Sequence, residues 1–153
     1  MSDVPRLELA RSVVTSQSAD AVFSTLCDFA TAPTWLPNCT AIELLDEEAI
    51  RVGSRLRYSY RELGYSGSLP CSVVAFRPGQ RIAIGYSDTR VDASFDFVLD
   101  ERDGTTTIHH TVTLQPKSLA VRMLARMIRR SLPGRMDAAL RGITRATAPS
   151  RAS

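Results

Sequence analysis

Apolar positions in this chain recur at period two through most of its length and at spacings of three and four in two stretches. Residues 7–15 place Leu7, Leu9 and Val13 on one face, which predicts a first strand. Ser18 or Asp20 can cap a following helix that carries Val22, Phe23, Leu26, Cys27 and Phe29 or Ala30. That helix is expected to stop before Pro33. Trp35, Leu36 and Pro37 are too closely bounded by prolines for a long helix and predict an apolar turn or a single helical turn.

From residue 41 to residue 115 short alternating runs are separated by turn formers, and the pattern predicts strands at 41–45, 54–62, 69–76, 81–88, 93–99 and 105–115. Gly64-Tyr65-Ser66-Gly67, Arg77-Pro78-Gly79-Gln80 and Glu101-Arg102-Asp103-Gly104 read as tight turns. Strands joined this tightly must be antiparallel neighbours, so the region is expected to form a meander. After Pro116 the period changes: Ala120, Met123, Leu124, Met127, Ile128 and Leu132 recur at three and four, with Ser118 as cap. The stripe resumes after Pro133-Gly134 with Met136, Ala139, Leu140 and Ile143, which predicts one long helix kinked at the proline. Residues 1–146 are read as one domain and 147–153 as a flexible tail.

Composition adds bounds. A hydrophobic fraction of 44% and a charged fraction of 23% over 153 residues are ordinary for one globular unit with its own core. No apolar run approaches the roughly 20 residues that cross a bilayer, and arginines interrupt the N-terminal stretch where a secretion signal would be apolar, so a cytoplasmic protein is expected. Cys27, Cys39 and Cys71 form neither a close pair nor an even set, which argues for reduced thiols rather than disulfides or zinc. Of 19 basic residues only Lys117 is a lysine, a usage consistent with a GC-rich bacterial genome. No nucleophile elbow, phosphate-binding glycine loop, H-E-x-x-H or paired-carboxylate motif is present, so no metal or cofactor is expected.

Ala-Asp-Ala-Val-Phe at 19–23, Trp35-Leu36-Pro37, Gly53-Ser54-Arg55-Leu56, the run Val74 to Ile82 and Gly104-Thr105-Thr106-Thr107-Ile108, taken with the element order, resemble the START-like (SRPBCC, Bet v 1-like) superfamily. Within it the chain is similar to the polyketide cyclase/dehydrase and lipid-transport family. The resemblance spans nearly the whole chain, and its motifs are structural rather than catalytic. It implies an α+β helix-grip fold: a curved antiparallel sheet wrapped around the long C-terminal helix, with an internal hydrophobic cavity. It does not choose among cyclases, carriers, receptors and ribosome-associated members.

With such a cavity, strand alternation selects the residues that would line it: Leu56, Tyr58 and Tyr60; Ile84 and Tyr86; Phe95 and Phe97; Ile108, His110 and Val112. Met123 and Met127 would face them from the helix, and Trp35 would flank the entrance or anchor the short helix. His110 interrupts an otherwise apolar series and is a candidate acid or base, with a satisfied core histidine as the ordinary alternative. Tyr58 and Tyr86 are candidate hydrogen-bond donors to a ligand carbonyl, or simply strand aromatics. His109 points to the opposite face and cannot share a metal with His110. Asp88 and Arg90 fall at the rim, while Arg57 and Asp96 face outward by parity.

Arg122, Arg126, Arg129, Arg130, Arg135, Arg141 and Arg145 concentrate charge on the terminal helix, as a solvated face or as a contact for an acyl-carrier protein or an anionic membrane. The helix has no aromatic residue to stack on bases, so no nucleic-acid partner is expected, and the protein is read as a monomer or homodimer. The leading expectation is a cofactor-independent cyclase/dehydratase acting on a hydrophobic polyketide intermediate. The alternatives are a non-catalytic carrier of a lipid, quinone or metabolite, and a ribosome-associated interaction protein.

Overall fold

The computed structural model describes residues 6–62 and 64–147. Its strands are β1 (Leu7–Thr15), β2 (Cys39–Leu44), β3 (Arg55–Glu62), β4 (Tyr65–Arg77), β5 (Arg81–Ser87), β6 (Val91–Arg102) and β7 (Thr105–Pro116). Its helices are α1 (Ala19–Cys27), α2 (Ala32–Trp35) and α3 (Leu119–Thr147). The strands form one antiparallel sheet in the order β1-β7-β6-β5-β4-β3-β2, so β2 to β7 are a meander and β1 closes onto the last strand. The connection from β1 to β2 must cross the whole sheet, and α1 and α2 lie on that path. Register shifts at Cys39/Ala41 and Val73/Ala75 put bulges into β2 and β4, the device that bends a sheet.

The first predicted helix is shorter than its apolar stripe. Ser18 caps it through Ala21 N at 3.1 Å as expected, but the helix ends at Cys27 and Phe29–Thr31 form a 3-10 turn. Pro33 lies within the first turn of α2, where a missing N–H costs nothing, so the helical turn falls at 32–35 rather than at 35–37. The β3–β4 hairpin is also tighter than predicted: Glu62 faces Tyr65, and Ser66 and Gly67 are already paired with Arg61 and Tyr60. A Cβ at Gly67 would stand 2.7 Å from the Tyr60 hydroxyl, so any larger residue there would displace that phenol. Pro70 is tolerated because β4 is paired with β5 only from Ser72 onward, leaving an open edge at 65–71.

Helix α3 continues through Pro133 and includes Thr147, whose hydroxyl lies 2.8 Å from that of Thr25; the rest of the predicted tail lies outside the described residues. Its buried residues, Leu132, Met136, Ala139, Leu140 and Ile143, all lie from the middle of the helix onward. Ile143 is fully buried, and burial of such a side chain contributes about 2 kcal/mol. Met123 and Met127, predicted to face the sheet, are instead 63% and 70% exposed. Two overlapping stripes run along this helix, and the one that turns inward is Val121, Ala125, Ile128 and Leu132. The methionines are out of phase with it.

Gly142 sets how closely α3 meets α2. A Cβ there would lie 2.7 Å from Trp35 Cα and 2.9 Å from its carbonyl oxygen, and backbone cannot yield as a side-chain tip can. Alanine normally favours a helix over glycine by up to about 1 kcal/mol. Gly142→Ala is nevertheless expected to destabilise by about 1–3 kcal/mol, because separating the helices is an overpacking cost. Thermal denaturation should show a melting point lower by roughly 5 °C.

Candidate functional site

Because α3 is fully buried on the core only from Leu132 onward, its preceding turns roof a cavity of about 400 Å³. That volume lies in the range of small-molecule sites. The strands supply Tyr58, Tyr60, Tyr86, Phe95, His110 and Val112, all anticipated by alternation, and α3 supplies Val121, Leu124, Ala125, Ile128 and Met136. A smaller apolar chamber of about 40 Å³ lies behind it, and Leu36, Tyr58, Cys71 and Phe95 border both. Trp35, Leu56, Ile84 and Phe97 line this inner chamber rather than the main cavity. Ile108 lines neither space; it is fully buried in the core. Trp35 is an anchor, edge-on to Phe97 at 6.0 Å, and its indole Nε1 is buried without a hydrogen-bond partner among the described residues.

His110 sits opposite Phe97 on the neighbouring strand, and the two rings stack with centroids 4.1 Å apart and planes 1° from parallel. Its Nδ1 lies 3.2 Å from the Asp96 carbonyl oxygen. A carbonyl only accepts, so Nδ1 carries the proton and Nε2 holds the lone pair. No described residue hydrogen-bonds Nε2. Burial pulls the imidazole down to about 4, against the opposing effect of the Asp96 carbonyl, so the ring is neutral at physiological pH. The Asp96 side chain faces outward as predicted and pairs with Arg81 at 2.6 Å. Its contribution to the site is made by backbone.

The tyrosines differ in what they offer. Tyr58 and Tyr60 stack at 6.2 Å, and neither hydroxyl is bonded to a described residue. Burial pushes the Tyr58 phenol upward, keeping it protonated as a donor. Tyr86 already donates to Asp88 Oδ2 at 2.7 Å, which raises its phenol. That bond, with the Arg90 and Val91 amides, holds the Asp88 carboxyl down to about 2. Cys71, at the junction of the two spaces, is pushed up to about 11 by burial and remains an unreactive thiol.

Two polar clusters bound the cavity. One is the Tyr86–Asp88–Arg90 group at the β5–β6 loop, close to where alternation placed a rim. The other is an ion pair between Glu62 at the end of β3 and Arg135 just past Pro133. Arg135 had been grouped with the solvated arginines of the helix, and no sequence signal links it to Glu62. Among the described residues no cluster of three or more metal-ligating side chains occurs, and His109 is exposed on the far face.

The imidazole makes stability pH-dependent. Between its unfolded value near 6.5 and its folded value near 4 the unfolded chain binds the extra proton, so stability present above pH 6.5 is lost as the pH falls through this window. The loss approaches about 3 kcal/mol by pH 4. Carboxylates such as Asp88 contribute their loss lower, below 3.8. His110→Phe should be less stable at pH 7, since the Asp96 carbonyl loses its donor, but should show a flatter decline from pH 6.5 to 4 in denaturant titrations.

Comparison with known proteins fits this architecture. Residues 6–147 match the family described as polyketide cyclase / dehydrase and lipid transport. The Zhui aromatase/cyclase from Streptomyces sp. R1128 superposes with a TM-score of 0.76 at 15% identity, over 94% of each chain. The di-domain aromatase/cyclase StfQ from the steffimycin biosynthetic pathway gives 0.73 at 13% identity, over 91% of this chain and 50% of that one. The major latex-like protein 151 of Panax ginseng gives 0.67 at 14% identity, over 94% and 99%. At such identities these likenesses establish the fold alone, and no curated protein sequence matches the chain. The family match over nearly the full length places the chain in the polyketide cyclase / dehydrase and lipid transport family.

Proposed function

We propose that the protein binds a small hydrophobic, carbonyl-bearing molecule in the main cavity and acts on it as a cofactor-independent cyclase/dehydratase. The observation that carries this reading is the state of His110: a neutral imidazole, with Nδ1 committed to the Asp96 carbonyl and Nε2 without a partner among the described residues, on the lining of an apolar cavity. In the reaction, Nε2 takes a proton from a carbon flanked by carbonyls. Tyr58 and Tyr60 hydrogen-bond the enolate oxygen, which developing charge favours in a dry site. The enolate carbon attacks a second carbonyl brought near by the bend of the chain, and the imidazolium returns the proton to the new alkoxide. Loss of water from the resulting β-hydroxyketone completes a dehydration. The Tyr86 hydrogen is committed to Asp88, so that residue's role is to hold the rim. Likeness to the folds of Zhui and StfQ, both aromatase/cyclases, supports the choice of substrate class by analogy.

A base with its value near 4 is a weak one, and a second reading, a carrier that only hosts its ligand, is favoured by the inner chamber, whose lining is almost wholly apolar. The two differ in turnover. With a thioester-linked poly-β-keto substrate, His110→Ala should lower kcat by about 100-fold or more. Tyr58→Phe with Tyr60→Phe should lower it roughly tenfold. Binding of a naphthylamine fluorophore should stay within a few-fold of the wild type in each variant. Full turnover by His110→Ala contradicts the catalytic assignment. Recovery of an unaltered hydrophobic molecule by native mass spectrometry, with no turnover by the wild type, supports the carrier.

A further inference from the structure

The half of α3 that roofs the cavity presents two parallel rows to the outside. Leu119, Met123 and Met127 recur every fourth residue, and Leu119 is 71% exposed. Leu124, 48% exposed, flanks them. Ten large hydrophobics are exposed among the described residues, and these four lie within nine consecutive positions. Alongside them the half-buried Arg122 and the exposed Arg126 and Arg130 form a second row at the same spacing, with the exposed Arg129 beside it. None of these four arginines forms an ion pair with a described residue, whereas Arg135 and Lys117, at either side of the segment, are both paired. No aspartate or glutamate occurs from residue 104 to residue 136. The apolar surface is continuous with the interior, because Val121, Leu124, Ala125 and Ile128 on the same two turns line the cavity.

We propose that this half of α3 docks on an anionic lipid surface, with the Leu119–Met123–Met127 row at the acyl boundary and the arginine row on the lipid phosphates, so that the cavity rim faces the bilayer. A lipid interface offers hydrocarbon and negative charge side by side at adjacent depths, which is the arrangement of the two rows. A second copy of the chain does not: a two-fold contact through this face sets arginine row near arginine row with no carboxylate between them. A nucleic acid would engage the arginines and leave the apolar row in water. The thioethers of Met123 and Met127 adapt to an irregular partner, and the arginine stems can lie along the apolar row while their charges reach the phosphates. The consequence is a route by which a hydrophobic ligand passes between bilayer and cavity without crossing water. Docking does not depend on catalysis at His110.

The test is partition onto vesicles of phosphatidylglycerol and phosphatidylcholine, measured by sedimentation without any ligand. Binding is expected to anionic vesicles at about 0.1 M salt, with clear weakening on pure phosphatidylcholine and at several-fold higher salt. Met123→Ser with Met127→Ser, and separately Arg126→Gln with Arg130→Gln, should each lower the partition coefficient roughly tenfold. Arg61→Gln with Arg77→Gln, which removes the same charge from exposed positions on the sheet, should leave it within about twofold, and all three variants should melt like the wild type since every altered side chain is exposed. Met127→Trp should be quenched by brominated lipids. Failure to bind anionic vesicles, an equal loss in the Arg61/Arg77 variant, or bound Met127→Trp that is not quenched overturns the proposal. So does selective binding of an acidic protein through this face with no affinity for lipid.

Discussion

Close packing between the second half of α3 and α2 governs the rest of the molecule. At Gly142 the two backbones approach so nearly that no side chain fits, and Leu140 and Ile143 on either side are driven into the core beneath. A helix fixed so firmly at one end must project its other end over the concave sheet, and the bulges in β2 and β4 curve that sheet away from it. The space left between them is the cavity. It exists because the helix is packed as in any protein interior from Leu132 onward and less closely before it, so ligand capacity and helix anchoring are two consequences of one contact.

The chemistry of the site follows from a conflict between burial and charge. An imidazole inside an apolar wall resists protonation, which preserves the Nε2 lone pair at physiological pH and at the same time weakens it as a base. The Asp96 carbonyl resolves half of this conflict by fixing the tautomer and orienting the ring against Phe97. The phenols of Tyr58 and Tyr60, unbonded among the described residues, supply the complementary donors, while the Tyr86–Asp88 pair is already closed on itself. Polar capacity is thus split between groups held open on the lining and groups satisfied at the rim.

Much of this was legible in the sequence where a rule of period two applies. Alternation placed Tyr58, Tyr60, Tyr86, Phe95, His110 and Val112 on the inner face, and the structure brings them to one cavity because a strand has only two faces. A helix has no such simplicity. Its apolar residues from 119 to 132 form two overlapping stripes, and periodicity alone could not decide that Val121 and Ala125 turn inward while Met123 and Met127 face out. Two further features left no trace. The partner of His110 is a backbone carbonyl, which carries no residue signature, and Glu62 and Arg135 meet only after the whole meander has formed. The first helix does stop before Pro33, but that residue also opens α2, since proline suits a first turn as well as it ends a helix.

The account turns on the protonation and tautomer of one side chain inside the cavity. Long-range nitrogen–proton NMR of the His110 ring, followed from pH 7 downward, observes it directly. The structure predicts a neutral imidazole protonated at Nδ1, with an Nε2 that stays deprotonated until the pH approaches about 4 and shifts when a carbonyl-bearing ligand enters. A ring protonated at Nε2, or one that titrates near 6.5 with no response to ligand, would contradict it.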